Sequence, residues 1–348
     1  MGETLEQCHR NIISGARQSA AASMMRGLLS AIEPLYVSIT SLRNELFERD
    51  ILTVSRAPRP VISIGNITTG GTGKTPVVRW LTESLIASGK RPAVLLRGYR
   101  GGDEQRMLQS QVPSLIVQAN PSRVEGVRQV LGKQPQVDLF VMDDGFQHRK
   151  LARDFDLVLI DATNPFGFER VLPRGLLREP LDGLSRATAF LITRSDMADG
   201  SDIESTLRKY NPQAPIYRSR HVQTGLRSSG GSTMSLSDLR DRRVMTFCGI
   251  ASPANFEKQL AATGANLVAR EVFSDHHLYN HQDLANLLNR AQSTGAEFIV
   301  TTEKDWVKIQ PLGDDEIWRV ELRIEFVGDD EARLLDQIKT VIESSSKS

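Results

Sequence analysis

Gly70, Gly71 and Gly73 ahead of a lysine and a threonine, in "GNITTGGTGKTP" (residues 65–76), are residue types suited to holding a polyphosphate. The end of the pattern G-x-x-x-x-G-K-[ST] is filled by Gly73, Lys74 and Thr75, and Thr68 stands where the first glycine is usual. Thr68, Gly70, Gly71, Thr72 and Gly73 would form the cradle. Glycines let backbone N–H groups face phosphate oxygens, and the following helix adds the positive end of its dipole. Lys74 would reach the outer phosphates and Thr75 would hold Mg²⁺. A β-branched Thr68 is tolerable at the edge of the loop if its φ stays negative. The plain alternative is a glycine turn without a ligand, but the order buried strand, glycine loop, helix is the context that the motif requires.

Other chemistry-bearing residues recur at the ends of apolar runs. "VDLFVMDD" closes on Asp143 and Asp144, two adjacent carboxylates whose repulsion a bound Mg²⁺ would relieve; a turn aspartate before Gly145 is the alternative. "RGYRGGDE" offers Arg97, Arg100, Asp103 and Glu104, and "LPRGLLREP" offers Arg174, Arg178 and Glu179. "FSDHHLY" adds Asp275, His276 and His277, either as loop polar groups, as part of a metal site, or as a histidine supporting a carboxylate base. Phosphoryl transfer needs such a base or orienting group and cations around the moving phosphoryl. "TRSD" (residues 193–196) faintly matches the signature by which switch GTPases read guanine, with Arg194 in place of the lysine; a polar turn after a strand explains it equally well.

The elements that must position these residues read as an α/β protein. Apolar runs at Val61–Gly65, Pro92–Tyr99, Ser114–Ala119, Val137–Asp144, Phe155–Ala162 and Ala189–Asp196 alternate with helical stretches, which argues a doubly wound parallel sheet flanked by helices. Ligands in such sheets bind beyond the carboxyl ends of the strands, where Gly65, Asp143 and Asp196 fall. After a polar break at Thr224–Ser235 comes a second, smaller α/β set, with runs at Val244–Ile250, Asn266–Phe273 and Glu297–Asp305. The runs Ile216–Val222 and Ile317–Phe326 flank it and are expected to pair as a two-stranded connector. The expected division is an N-terminal helical region (1–55), a nucleotide-binding α/β domain (56–215), a smaller α/β domain with its flanking strands (216–326) and a C-terminal helix (327–348).

Composition fits a globular chain: of 348 residues, 40% are apolar and 24% charged. A net charge of +1 gives no global attraction to nucleic acid, so no nucleic-acid partner is expected. Cys8 and Cys248 form no paired framework, which suits a reducing cytosol. No run is long enough to span a membrane, and the N-terminus lacks the pattern of a secretion signal. From Met24 to Phe47, however, Met25, Leu28, Leu29, Ile32, Tyr36, Ile39, Leu42 and Leu46 recur at helical spacing, with a kink expected at Pro34. This is either a helical hairpin packed on its own domain or an interfacial helix lying on a membrane.

Taken in order, "GNITTGGTGKTP", "RGY", "GDE", "DDGFQH", "LPRGLLREP", "FCGIASPANF", "FSDHHLY" and "VTTEKDWVK" resemble the tetraacyldisaccharide 4′-kinase family of the lipid A pathway, from about Leu35 to Phe326. The resemblance implies ATP and Mg²⁺ as cofactors and tetraacyldisaccharide 1-phosphate as acceptor, phosphorylated at its 4′-hydroxyl by a peripheral enzyme on the cytoplasmic face of the inner membrane. It implies Asp103 as the base or orienting group, supported by His276, with Lys74 and Arg178 neutralising the moving phosphoryl. Thr75, Asp143, Asp144, Glu104 and Glu179 form the implied pool for Mg²⁺. The family's loop carries Ser or Thr at the position of Thr68. "GIASPANF" and "TTEKD" would close over the nucleotide. Two departures stand out: only Arg100 and Gly101 separate RGY from GDE, and Gln105 follows GDE where proline is common. His277 could also take the place of His276 in the register. The competing functional classes are a GTPase or ATPase switch, including a metal-insertion chaperone, and a membrane-tethered scaffold with a degenerate nucleotide fold.

Overall fold

The computed structural model describes residues 5–98, 103–250, 253–274, 277–313 and 316–345, without the side chains of residues 5, 6, 103 and 104. The chain runs through α1 (Leu5–Ile13), α2 (Ala20–Glu48), β1 (Val61–Asn66), α3 (Lys74–Ala87), β2 (Pro92–Leu96), α4 (Asp103–Gln111), β3 (Ile116–Ala119) and α5 (Arg123–Lys133). There follow β4 (Leu139–Asp143), β5 (Phe155–Asp161), β6 (Ala189–Thr193), α6 (Ser201–Tyr210), β7 (Ile216–Ser228) and β8 (Thr233–Met234). The remainder is β9 (Arg243–Cys248), α7 (Pro253–Ala261), β10 (Asn266–Val272), α8 (His281–Thr294), β11 (Phe298–Thr302), α9 (Glu303–Ile309), β12 (Ile317–Phe326) and α10 (Asp330–Ser345).

These elements form two compact units. The first comprises Met1–Tyr99, Val112–Arg220 and Glu325–Ser348; the second comprises Arg100–Gln111 and His221–Ile324. The first unit therefore takes in the segments expected as separate helical regions at either end, and α4 groups with the second.

In the first unit the strand order is β7-β6-β5-β1-β4-β2-β3, with parallel pairing throughout. Every residue of β1, β2, β4 and β6 is buried, as expected where helices cover both faces of a parallel sheet. β1 lies between β4 and β5, with Ile64 in register with Asp143, so the loops after β1 and β4 leave the sheet side by side. A Cβ at Gly65 would stand 2.6 Å from Phe146 Cβ and 2.7 Å from its backbone nitrogen. Only glycine lets these two loops approach so closely.

α2 is one helix of 29 residues that continues through Pro34, so the Met24–Phe47 stretch is not itself a hairpin. Its N-cap, Ser19, accepts from the backbone N–H of Ala22. One face is anchored: Glu33 accepts from Val171 N at 2.8 Å and pairs with Arg170 at 3.1 Å, the Tyr36 hydroxyl donates to Arg178 O, and Phe47 is buried. The opposite face leaves Met24, Leu28, Ile32, Leu35, Ile39 and Leu42 exposed, Leu35 by 63%. Tyr36 thus belongs to the packed face, and Met24 and Leu35 to the exposed one.

In the second unit β10, β9, β11 and β12 are parallel neighbours. Its core holds Phe247, Leu287, Trp306 and Ile309, with Met107 of α4 packed against them. Residues 303–305 are the first turn of α9 rather than the end of a strand, because Thr302 caps the helix by accepting from Asp305 N. β7 lies beside β12, as the connector reading expected, and extends to Ser228, through part of the expected polar break. Arg220 pairs with Glu325 and Arg227 with Glu321, partners running in opposite order along the two strands.

Candidate active site

The loop between β1 and α3 is held open by its neighbours. Gly73 is left-handed (φ +83°) and makes no side-chain cap, so the first N–H groups of α3 have no side-chain acceptor from the N-cap. Gly70 has φ +125°, and the position of a Cβ on Gly71 is open space. Thr68 forms an isolated antiparallel bridge with Leu177, and Thr69 N donates to Leu176 O at 2.7 Å. The Thr193 hydroxyl donates to Thr72 O at 3.0 Å. Arg194 donates to Gly71 O at 3.1 Å and pairs with Asp161. This gives the "TRSD" arginine a physical task, to clamp the loop. The Thr72 hydroxyl is buried without a hydrogen-bond partner among the described residues. An uncapped helix start, an open glycine and an orphaned hydroxyl fit a phosphate.

Charge converges beside the loop. Lys74 Nζ donates to Asn66 Oδ1 at 3.1 Å and stands 3.3 Å from Asp144 Oδ1. Arg178 Nη1 reaches the same oxygen at 2.7 Å and Gln147 Oε1 at 3.3 Å. Burial works to raise the Asp144 pKa, but the charges and hydrogen bonds of Lys74 and Arg178 outweigh it and hold the carboxyl below its ordinary value. Asp144 sits at φ +53°, a left-handed conformation that aspartate tolerates better than most residues. Asp143 is buried, and Arg123, itself 2% exposed, donates to its carbonyl at 3.1 Å.

Glu179 has a different setting. It is 2% exposed, with Oε2 taken by Arg186 (2.7 Å) and Asn44 (2.9 Å) and Oε1 by Gln147 (3.0 Å). This arrangement fits a brace holding α2 and Gln147 rather than a metal ligand. Of the other residues expected to hold Mg²⁺, Asp143 closes β4, Asp144 follows it, and Thr75 lies in the first turn of α3. Among the described residues no group of three or more His, Cys, Asp or Glu is spaced to hold a metal. One or two carboxylates completed by phosphate oxygens and water is the arrangement by which Mg²⁺ commonly arrives with a nucleotide.

Other expected residues are not brought into this cluster. Asp103 is the first residue of α4, but its side chain and that of Glu104 lie outside the described residues, as do Arg100, Asp275 and His276. His277 is described: Nε2 lies 3.0 Å from Asp283 Oδ2, and its ring stacks on Phe273. These contacts tie it to the capping box of α8. In "TTEKD", Asp305 is fully buried, accepting from Gly249 N (2.9 Å) and the Thr302 hydroxyl (2.7 Å) with Lys308 3.5 Å away. It fastens the start of the "GIASPANF" segment to α9.

Asn66, Gln147 and Arg186 were missed as site residues, and Arg194 was weighed only within the "TRSD" signature. Asn66 and Gln147 lie inside motifs that the sequence displayed, "GNITTGG" and "DDGFQH", and that position was the signal available.

The fold and this site define a P-loop α/β protein with the paired cations of a phosphoryl-transfer enzyme. The family model for tetraacyldisaccharide-1-P 4′-kinase (LpxK) matches residues 25–343. A tetraacyldisaccharide 4′-kinase of Pelobacter propionicus is 36% identical over 99% of this chain and 100% of that protein. One of Chlorobium phaeovibrioides is 38% identical over 83% of this chain and 88% of that protein. The crystal structure of LpxK from Aquifex aeolicus in complex with ATP superposes with a TM-score of 0.75 at 26% identity, covering 91% of this chain and 99% of that one. The chain belongs to the tetraacyldisaccharide-1-P 4′-kinase family, and it is a kinase. Among the described residues no helix is long and apolar enough to cross a membrane.

Proposed function

We propose that the protein transfers the γ-phosphate of ATP to the 4′-hydroxyl of a tetraacyldisaccharide 1-phosphate at a membrane surface, in lipid A biosynthesis. The observation that carries this reading is the convergence of Lys74 and Arg178 on Asp144 beside the uncapped start of α3. A bond forms from the sugar oxygen to the γ-phosphorus, and the bond to the β,γ-bridging oxygen breaks with its electron pair leaving on ADP. The hydroxyl proton goes to a base, for which family resemblance nominates Asp103 with His276 in support. The backbone of Gly70–Gly73 and the α3 N-terminus would hold phosphate oxygens, while Lys74 and Arg178 stabilise negative charge as it spreads. Bound with the nucleotide at Thr75, Asp143 and Asp144, Mg²⁺ would supply further charge neutralisation. The Asn66 contact to Lys74 and the Gln147 contact to Arg178 hold both cations in place before substrate arrives.

The exposed stripe of α2 supports a peripheral membrane position, because an amphiphilic acceptor presents its sugar at the bilayer surface. The proposed location is the cytoplasmic face of the inner membrane, where ATP is available. Incubating the purified protein with γ-labelled ATP and tetraacyldisaccharide 1-phosphate in detergent micelles tests the reaction. Label is expected in the lipid; GTP hydrolysis with an unlabelled lipid would overturn it.

A further inference from the structure

The most N-terminal helix reaches the phosphate loop. α1 precedes the residues matched by the family model, which begin at residue 25, and nothing in the reaction described above uses it. It is fixed against the first unit at several points. The His9 ring N–H donates to Pro173 O at 3.0 Å, and Arg174 Nη1 donates to Ile13 O at 3.0 Å. Ile13 is buried, and Arg26 of α2 donates to Ile12 O and Arg17 O. The segment gripped by α1, Pro173–Arg174, belongs to the same stretch whose Leu176 and Leu177 pair with Thr69 and Thr68. Helix and loop are thus seated on one support, within one unit.

On this seat the half-buried Arg10 projects its guanidinium to Gly70. A Cβ placed on Gly70 would stand 3.3 Å from Arg10 Nη2, the nearest atom there. Gly70 is where the loop adopts φ +125°, and the neighbouring Gly71 faces open space. A guanidinium is always charged, is less strongly hydrated than an ammonium and grips phosphate through parallel N–H donors. We infer that Arg10 is a further nucleotide ligand, an arginine supplied in cis by the N-terminal helix to the polyphosphate at the Gly70 rim of the loop. Lys74 and Arg178 approach from the Asp144 side, and Arg10 adds a cation from the other end of the glycine run. This deepens the proposed function and rests on its nucleotide site.

The test measures nucleotide affinity of the full chain by titration calorimetry, with MgATP, MgADP and AMP as ligands, alongside thermal unfolding. Arg10→Ala is expected to weaken MgATP about tenfold, with the unfolding temperature unchanged. Arg10→Lys should recover part of the loss, and Arg17→Ala, which removes an arginine contacting Cys8 of α1, should leave affinity unchanged. AMP affinity should be the same in wild type and Arg10→Ala, since the penalty follows the outer phosphates. Unchanged or tighter MgATP binding in Arg10→Ala would overturn the inference while leaving the kinase reading intact. An equal loss for AMP and ATP would reduce Arg10 to a structural prop and would also overturn it. A wild-type chain that binds no MgATP would remove the nucleotide site and this inference with it.

Discussion

Removing the Lys74 ammonium would leave Asp144 with Arg178 as its remaining cation and strip one positive charge from the transferring phosphoryl. Lys74→Ala is therefore expected to lower kcat by roughly 10²–10³, the usual cost of losing one preorganised charge. Asn66→Ala should cost less, because the ammonium remains but loses the 3.1 Å contact that aims it. Steady-state kinetics on the two variants checks the order; an equal loss would mean that Asn66 itself touches substrate. At this scale the sequence displayed the groups whose chemistry is local. Lys74, Thr75 and the Asp143–Asp144 pair announce themselves by type and spacing. Glu179 was also picked out, as a candidate for Mg²⁺, but its bracing contacts were not legible, because its three partners come from α2, the DDGFQH loop and Arg186, and only the folded chain brings those together.

The long N-terminal helix has two faces with opposite consequences. Substituting Leu28, Leu35 and Ile39 with aspartate should leave folding stability within about 0.5 kcal/mol per site, since all three are exposed. Flotation with anionic liposomes should drop several-fold in the triple variant; undiminished flotation would remove α2 from membrane contact. Glu33→Ala acts on the other face. It orphans the buried N–H of Val171 and should cost about 1–3 kcal/mol in urea unfolding, with no effect on flotation. The apolar stripe was legible from its spacing, yet its exact boundary was not. Glu33 looks like a surface residue until Arg170 and Val171 are found opposite it, while Pro34, read as a kink, lies inside a helix that continues through it. Likewise "TTEKD" reads as strand until the Thr302 cap turns its acidic residues into a helix start.

Across the whole molecule, stability should depend on pH through His148. Burial, together with the charges of Arg123, Arg153, Lys150 and Arg43, pushes its pKa from 6.5 down to about 4. The folded state thus prefers the neutral ring. Its contribution is fully present above about pH 6.5 and is lost as pH falls through 4, because the unfolded chain takes up the proton first. Urea midpoints between pH 7 and pH 4 should fall less steeply in His148→Gln than in wild type; identical slopes would refute this assignment. The parallel character of the first unit's sheet was readable because strands buried on both faces are continuous apolar runs, whereas the order of its strands was not. The membership of α4 was not readable, since Met107 and Leu108 carry no mark of which core receives them.

That membership bears on how the gene can be cut. The chain enters and leaves the second unit along neighbouring strands at Arg220 and Glu325, which by itself would describe a cassette that a short linker could replace. But residues 100–111 are contributed from between β2 and β3, far upstream in the coding sequence. Deleting 221–324 would leave α4 behind without α9 and without the core against which Met107 packs. The two units are therefore interleaved in the reading frame, and a clean excision, permutation or domain exchange must carry two separate segments rather than one.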